Sequence, residues 1–399
     1  MLRRRRGRTS RLKARRLYCL RGFFVQGQIF QDLFVLELAN NHWGKINRGL
    51  RIVDEFSRVV QFNNVRAAIK LQFRDVETFI HRDHRDREDV RYIKKTMATK
   101  LPWEQLKAML DSIRGYGLLT MVTPFDEVSV EKCIEFDVDI LKIASSDIQD
   151  RFLIERIAAA GKPVISSTGG SSLKDIDDLV AFFARRNVPF ALNHCVSIYP
   201  SQDAEIELNQ IDFLRSRYPD IVIGFSTHEC TDWQFSVMMA YAKGARTFER
   251  HIDIDDEGVP VSPYCTLPEQ ADVWFKAFKK AQEMCGPPGT AKRVPPEKEI
   301  KYLDELVRGV YAKRDLPAGH VLTEDDIYLA VPLQLGQMSC RELMRGEALS
   351  TAIAQHQPIH FADIESGYPA DSALRKVIDS RGIPPLTSEP AARLRVVSN

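Results

Sequence analysis

Ile221-Val222-Ile223-Gly224-Phe225-Ser226-Thr227-His228 is followed by a helical pattern over 232–243 and then by Arg246-Thr247-Phe248-Glu249-Arg250-His251. Each flanking segment reads as a buried strand whose last residues turn polar, and each polar end carries a histidine. Two strands joined through one helix run parallel. In a parallel barrel, polar residues at the C-terminal ends of strands face a common mouth, where chemistry is placed. Neutral imidazoles arriving there from adjacent strands can share one divalent cation. The competing reading is two hydrogen-bonded histidines closing off the core.

The same alternation runs through most of the chain. Strands are expected at Phe34–Ala39, Arg66–Leu71, Leu118–Thr123, Ile140–Ala144, Pro163–Ser167, Phe190–His194, Ile221–Phe225 and Thr247–His251, with amphipathic helical stretches between them. Strict alternation of eight strands and eight helices predicts an α/β (β/α)8 TIM barrel over residues 31–290. One long insert, Gln72–Lys100, rich in Arg, Asp and His, is expected to be irregular, as a lid or binding loop or as a solvated surface. Gly286-Pro287-Pro288-Gly289 and Pro295-Pro296 mark a Pro-rich linker over 291–305. A small module follows over 306–366, and 367–399 reads as a mostly disordered polar tail.

Bulk properties narrow the function class. Of 399 residues, 56 are Lys or Arg and 54 Asp or Glu, a net charge of +2 that gives the whole molecule no electrostatic mandate to bind nucleic acid. Positive charge gathers in the first 16 residues, which hold no acid. Residues 1–30 are therefore read as a disordered basic extension, with a transit peptide or a phosphate-binding arm as alternatives. Seven scattered cysteines without a CxxC pair argue against a disulfide framework and fit a reducing compartment. No stretch approaches the roughly 20 apolar residues of a membrane span. A soluble, cytoplasmic protein with no nucleic-acid or membrane partner is expected.

The strand ends bring together Lys70, Lys142, an arginine (Arg250), several hydroxyls and the Gly169-Gly170 turn, with few acids. Ammonium groups, hydroxyls and backbone amides are what a phosphate and a carboxylate require.

At this point a resemblance becomes specific. Glu37…Asn41-His42…Gly44, Lys70-x-Gln72, Thr123-Pro124-Phe125, Lys142-Ile143-Ala144-Ser145, Ser167-Thr168-Gly169, Tyr199-Pro200, Gly224-x-Ser226-x-His228 and Glu249-Arg250-His251 resemble the N-acetylneuraminate (sialic acid) synthase family. The module at 306–366 resembles its C-terminal antifreeze-like (SAF) domain. The resemblance implies a transferase that condenses phosphoenolpyruvate with the open-chain aldehyde of an N-acylated hexosamine, giving a nonulosonic acid and phosphate. By the same resemblance His228 and His251 hold a divalent metal (Mn2+ or Mg2+), and Glu37 steers or deprotonates a water. Lys70, Thr123, Lys142, Ser145, Ser167 and Ser226 bind phosphoenolpyruvate. Gln72, Asp147, Ser197, Tyr199 and Arg308 contact the sugar, Arg308 from the partner in a domain-swapped homodimer.

The sugar side departs from the family pattern. Asp147 replaces a glutamate, Ser197 an asparagine, and Gly258-Val259-Pro260-Val261 lacks the usual aspartate. The acceptor is therefore left open between an N-acetylmannosamine-like sugar and the precursor of a pseudaminic- or legionaminic-type acid. Further alternatives are a Schiff-base aldolase using Lys70 or Lys142, and a non-catalytic sugar-binding homologue.

Overall fold

Eight parallel strands close on themselves in the computed structural model, which describes residues 28–256, 258–289, 291–342, 346–365 and 372–384. The strands are β1 (Leu33–Ala39), β2 (Ala67–Phe73), β3 (Leu119–Pro124), β4 (Ile140–Ile143), β5 (Val164–Ser167), β6 (Phe190–Cys195), β7 (Val222–Ser226) and β8 (Thr247–His251). Neighbours in sequence are neighbours in the sheet, and β1 pairs with β8 to close the barrel, with Glu37 opposite both Lys70 and His251. The expected TIM barrel is present, with strand bounds shifted by two residues at most.

Strand period explains how this sequence builds two cores. Successive side chains alternate between faces. Phe34, Leu36 and Leu38 of β1 point outward and pack under helices, where the Phe34 ring meets Trp274 and Phe275 edge-on at 4.7 Å. Leu33 and Val35 point inward and join Ala68, Met121, Ile140, Ile165 and Ala191 in an apolar plug, sealed from below by Phe30. Two or more residues further along each strand, the inward positions become polar: Glu37, Lys70, Thr123, Lys142, Ser167, Asn193 and Glu249, all buried. The switch from apolar to polar at constant parity separates the stabilising end of the barrel from its reactive end.

The helices around the barrel are α1 (Ile46–Asn63), α2 (Val76–Phe79), α3 (Arg91–Ala98), α4 (Trp103–Gly115), α5 (Glu127–Glu135), α6 (Arg151–Ala159), α7 (Leu173–Arg186), α8 (Asn209–Arg217), α9 (Trp233–Ala242) and α10 (Pro268–Cys285). Their starts are written locally. Asp126 accepts from the Ser129 amide at 2.7 Å, Asp150 from the Leu153 amide at 3.1 Å, and Ser172 with Asp175 forms a capping box. At the end of α7, Asn187 takes the left-handed conformation that stops a helix.

Several expectations change. The Gln72–Lys100 insert is not irregular: it begins with the end of β2 and contains α2 and α3. Ile93, Thr96 and Met97 share one side of α3, with Thr96 buried and the other two half-buried, while Arg91, Tyr92 and Lys95 are exposed. Arg250 does not face the mouth. It lies one residue from the inward Glu249 and His251, so alternation sends it outward, where its Nη1 sits 3.0 Å from Glu229 and its Nε donates to Thr266 Oγ1 at 2.8 Å. The basic extension lies outside the described residues as far as residue 27; the described Gln28–Phe30 form a 3-10 turn with Phe30 buried.

The chain divides into a first unit ending at Pro288 and a second beginning at Gly289. In the second, β9 (Gly309–Ala312) pairs antiparallel with β10 (Ile327–Ala330), and β11 (Ala348–Leu349) with β12 (Ile364–Glu365). Val310, Leu316, Met338, Leu349 and Ile359 fill its core. The stretch read as linker holds a helix, α11 (Glu297–Asp304), and the stretch read as disordered tail holds another, α12 (Ser372–Asp379). Leu374 and Ile378, four apart on α12, turn one face into that core, and Arg381 behind it forks onto Glu342 at 2.5 and 2.7 Å. Among the described residues no helix is long and apolar enough to cross a membrane, and the described cysteines are free.

Candidate active site

A cavity of about 900 Å³ opens at the C-terminal ends of the strands. It is lined by thirteen residues that the resemblance assigns to metal, phosphoenolpyruvate, water or sugar, all but Arg308: Glu37, Lys70, Gln72, Thr123, Lys142, Ser145, Asp147, Ser167, Ser197, Tyr199, Ser226, His228 and His251. Arg308 belongs to the second unit, exposed just before β9, with its carbonyl accepting from the Cys340 amide at 3.0 Å.

The floor is a charge lattice. Lys70 Nζ donates to Glu249 Oε1 at 2.6 Å and lies 2.7 Å from Glu37 Oε2. Its angle to Glu37 leaves that oxygen without a directed hydrogen bond. Gln72 Nε2 donates to Glu37 Oε1 at 2.7 Å. Lys142 Nζ donates to Ser167 Oγ at 2.6 Å and stands 3.7 Å from Glu249 Oε2. Glu249 therefore sits between the two lysines and fixes their spacing. Burial works against its charge, but Lys142 and Lys70 more than offset this and hold it ionised. The opposite balance holds at Lys70, where burial outweighs Glu249 and brings the ammonium down to about 8. Sequence reading puts Glu249 at the mouth without giving it a role; its parity, two residues before His251, is the signal that would have found it.

Two buried hydroxyl and carboxylate oxygens in this cavity have no protein partner: Thr123 Oγ1 and Asp147 Oδ2. A buried polar atom left unpaired costs about 1–3 kcal/mol, so such atoms mark places where a bound molecule completes the structure. Gly169 makes part of the cradle, since a Cβ there would fall 2.2 Å from Ser197 Oγ and 2.9 Å from Ser145 Oγ. Its amide donates to Ser145 Oγ at 3.0 Å.

The two histidines face one another with ring centroids 5.4 Å apart, and Tyr199 lies over His228 at 3.9 Å. Burial takes His228 down to about 4 and His251 well below the ordinary imidazole range, so both are neutral near pH 7. His228 Nδ1 donates to the Val196 carbonyl at 2.8 Å, which leaves Nε2 as the ring's lone-pair nitrogen. Two neutral imidazoles, one with its tautomer fixed by a backbone carbonyl, form a donor set that suits a divalent cation. Among the described residues no third His, Cys, Asp or Glu joins them to make a protein-only metal site. A cation here would be held by two ligands and completed by substrate or water.

Several lining residues escaped sequence reading. Cys195 of β6 is inward by parity and lines the cavity. Tyr264 flanks His251 with ring centroids 5.2 Å apart. Arg74, Phe79, Arg91, Tyr92, Lys95 and Thr96 come from the insert.

The NeuB family model matches residues 63–283, more than half the chain, and a SAF domain model matches 307–365. The chain belongs to the NeuB family. Among solved structures, this NeuB-family chain is 36% identical to a Chromobacterium violaceum protein assigned as spore coat polysaccharide biosynthesis protein E, covering 84% of this chain and 100% of that one with a TM-score of 0.78. An N-acetylneuraminic acid (sialic acid) synthetase of Leptospira borgpetersenii, solved with citrate, is 27% identical over 68% of this chain and 91% of its own, with a TM-score of 0.60. In sequence, mouse N-acetylneuraminate-9-phosphate synthase is 30% identical over 57% of this chain and 62% of that enzyme. Pseudaminic acid synthase of Campylobacter jejuni is 25% identical over 63% and 75%. The family and the SAF module implied by the strand-end motifs are both present.

Proposed function

We propose that this NeuB-family chain condenses phosphoenolpyruvate with the aldehyde of an N-acylated amino sugar, forming a sialic-acid-type nonulosonic acid and releasing phosphate. The observation that carries this reading is the floor of the cavity. Two lysines, a partnerless Thr123 hydroxyl and the hydrogen-bonded Ser145 and Gly169 make an anion cradle beside two neutral histidines.

In this reading Lys70 and Lys142, held apart by Glu249, take the phosphate and carboxylate of phosphoenolpyruvate, with Thr123, Ser145, Ser167 and Ser226 completing the hydrogen bonds. Orientation of the enol carbon toward the aldehyde is the main contribution of these residues. His228 and His251 would hold a divalent cation, which when bound supplies Lewis-acid polarisation of the aldehyde oxygen. Attack by carbon 3 of the enol leaves positive charge at carbon 2. Glu37, fixed by Lys70 and Gln72, orients the water that adds there and receives its proton; phosphate then departs with the electrons of its carbon–oxygen bond. Gln72, Asp147, Ser197 and Tyr199 face the sugar side, and Asp147 Oδ2 is free to accept from a sugar hydroxyl or amide. A homodimer, with Arg308 of one copy serving the sugar site of the other, and a cytoplasmic setting complete the proposal.

The test is phosphate release from phosphoenolpyruvate across a panel of N-acylated hexosamines, with manganese and with EDTA. Release that needs sugar and divalent cation together is expected. Release with phosphoenolpyruvate alone, or none with any sugar, contradicts the reading.

A pH dependence follows from Lys70. Its ammonium is charged below about 8 and neutral above, so rising pH removes one counter-charge from bound phosphoenolpyruvate. The value of kcat/KM for phosphoenolpyruvate, which reports free-enzyme ionisations, should fall through an alkaline limb near pH 8. The limb should move upward in Lys70→Arg; an unchanged limb in that variant would assign it to another group.

A further inference from the structure

We propose that the acceptor sugar is itself an anion, carrying a phosphate or carboxylate that is bound by Arg74, Arg91 and Lys95. The inference rests on the condensation proposed above and specifies its second substrate.

The insert between β2 and α4 holds eight cations that divide cleanly. Arg82, Arg85, Arg87, Lys94 and Lys100 each lie within 3.4 Å of a carboxylate. These are ordinary solvated surface pairs. Among the described residues Arg74, Arg91 and Lys95 have no carboxylate at ion-pair distance, and all three line the cavity. Arg91 and Lys95 are four apart on α3, so they project from one side of the helix. Arg74 stacks on the Phe125 ring at 3.7 Å and donates its Nε to Tyr92 Oη at 2.9 Å, which orients its guanidinium without neutralising it.

Charge separates this rim from the floor. At the floor Lys70 and Lys142 are matched by Glu37 and Glu249. At the rim three cations face Asp147 on the lining, and Asp126 also acts on Arg74, which leaves an excess of one positive charge. A neutral sugar would leave that excess facing its own hydroxyls, whereas a phosphate or carboxylate would neutralise it, and an arginine fork matches either group. Because the aldehyde must reach phosphoenolpyruvate at the floor, the anionic group lies on another carbon of the sugar. Relatives whose names include and omit a phosphate both occur, so kinship does not decide the matter.

Steady-state phosphate release with three acceptors tests this: an N-acylated hexosamine, its 6-phosphate and the corresponding uronate. One of the charged sugars is expected to exceed the neutral one by about tenfold or more in kcat/KM, with the better of the two naming the group. In the Arg91→Ala/Lys95→Ala double variant, KM for that sugar should rise about tenfold or more, while KM for phosphoenolpyruvate changes by less than about threefold. The charged-sugar preference should also shrink as salt is raised. Equal or better use of the neutral sugar overturns this inference and leaves the condensation standing. A double variant that raises KM for phosphoenolpyruvate equally with that for the sugar assigns the rim cations to phosphoenolpyruvate and likewise overturns it. No release with any of the three, from protein that binds phosphoenolpyruvate, contradicts the condensation itself.

Discussion

His251→Ala is expected to lower turnover by about a thousandfold or more, some 4 kcal/mol on the barrier, without unfolding the barrel. His251 ends β8, opposite Glu37 in the register, and its ring meets His228 and Tyr264. Neutralised by burial, it has no ion pair to lose and its removal opens space into an existing cavity. The loss should therefore fall on chemistry, with an unfolding midpoint close to that of the parent. Titration of free manganese gives an independent reading: the variant should bind the ion more weakly, and added manganese should not restore the parent rate. Parent-like turnover in added manganese would remove the histidine pair from the mechanism.

Gly224→Ala should act at the other extreme, on folding. Gly224 occupies an inward position of β7 opposite Asn193. A Cβ built there falls 1.7 Å from Thr247 Oγ1, 2.3 Å from Asn193 Oδ1 and 2.7 Å from the Thr247 carbonyl. Thr247 Oγ1 donates to Asn193 Oδ1, and Asn193 Nδ2 donates to Glu249 Oε2 at 3.3 Å. The methyl group thus breaks a buried chain of hydrogen bonds while pushing on backbone. Overpacking alone costs about 1–3 kcal/mol and a stranded buried polar group about as much again. A destabilisation of about 3 kcal/mol or more is expected in denaturant melts, with little soluble protein at 37 °C as the severe outcome. A midpoint unchanged from the parent would mean that β7 and β8 are spaced more widely than described. This glycine stands four residues before His228, so one motif carries both a packing requirement and a proposed ligand.

What the sequence makes legible follows from strand period. Apolar runs ending in polar residues locate eight strands, and the same ends locate thirteen of the cavity's residues, because position along a barrel strand decides whether an inward side chain is plug or site. The reading fails where that period is not carried through. Arg250 is counted at the mouth by nearness to His251, although alternation turns it toward Glu229. Glu249 and Asn193 have the correct parity and are passed over as residues without an assigned task. The insert is misread for a different reason: its high charge masks α3, and which of its cations are paired is a fact of tertiary structure. Short helices such as α12, stabilised by a neighbouring core rather than by their own composition, are hidden in the same way.

The most direct test of the central claim follows the carbon skeleton. Phosphoenolpyruvate labelled with carbon-13 at its methylene carbon, incubated with the protein, a divalent cation and an accepted sugar, can be watched by NMR. The label is expected to become a methylene joined to the former aldehyde carbon, with one phosphate released per product. Label accumulating in the methyl group of pyruvate, with phosphate released and the sugar unchanged, would mean that the barrel hydrolyses phosphoenolpyruvate and makes no carbon–carbon bond.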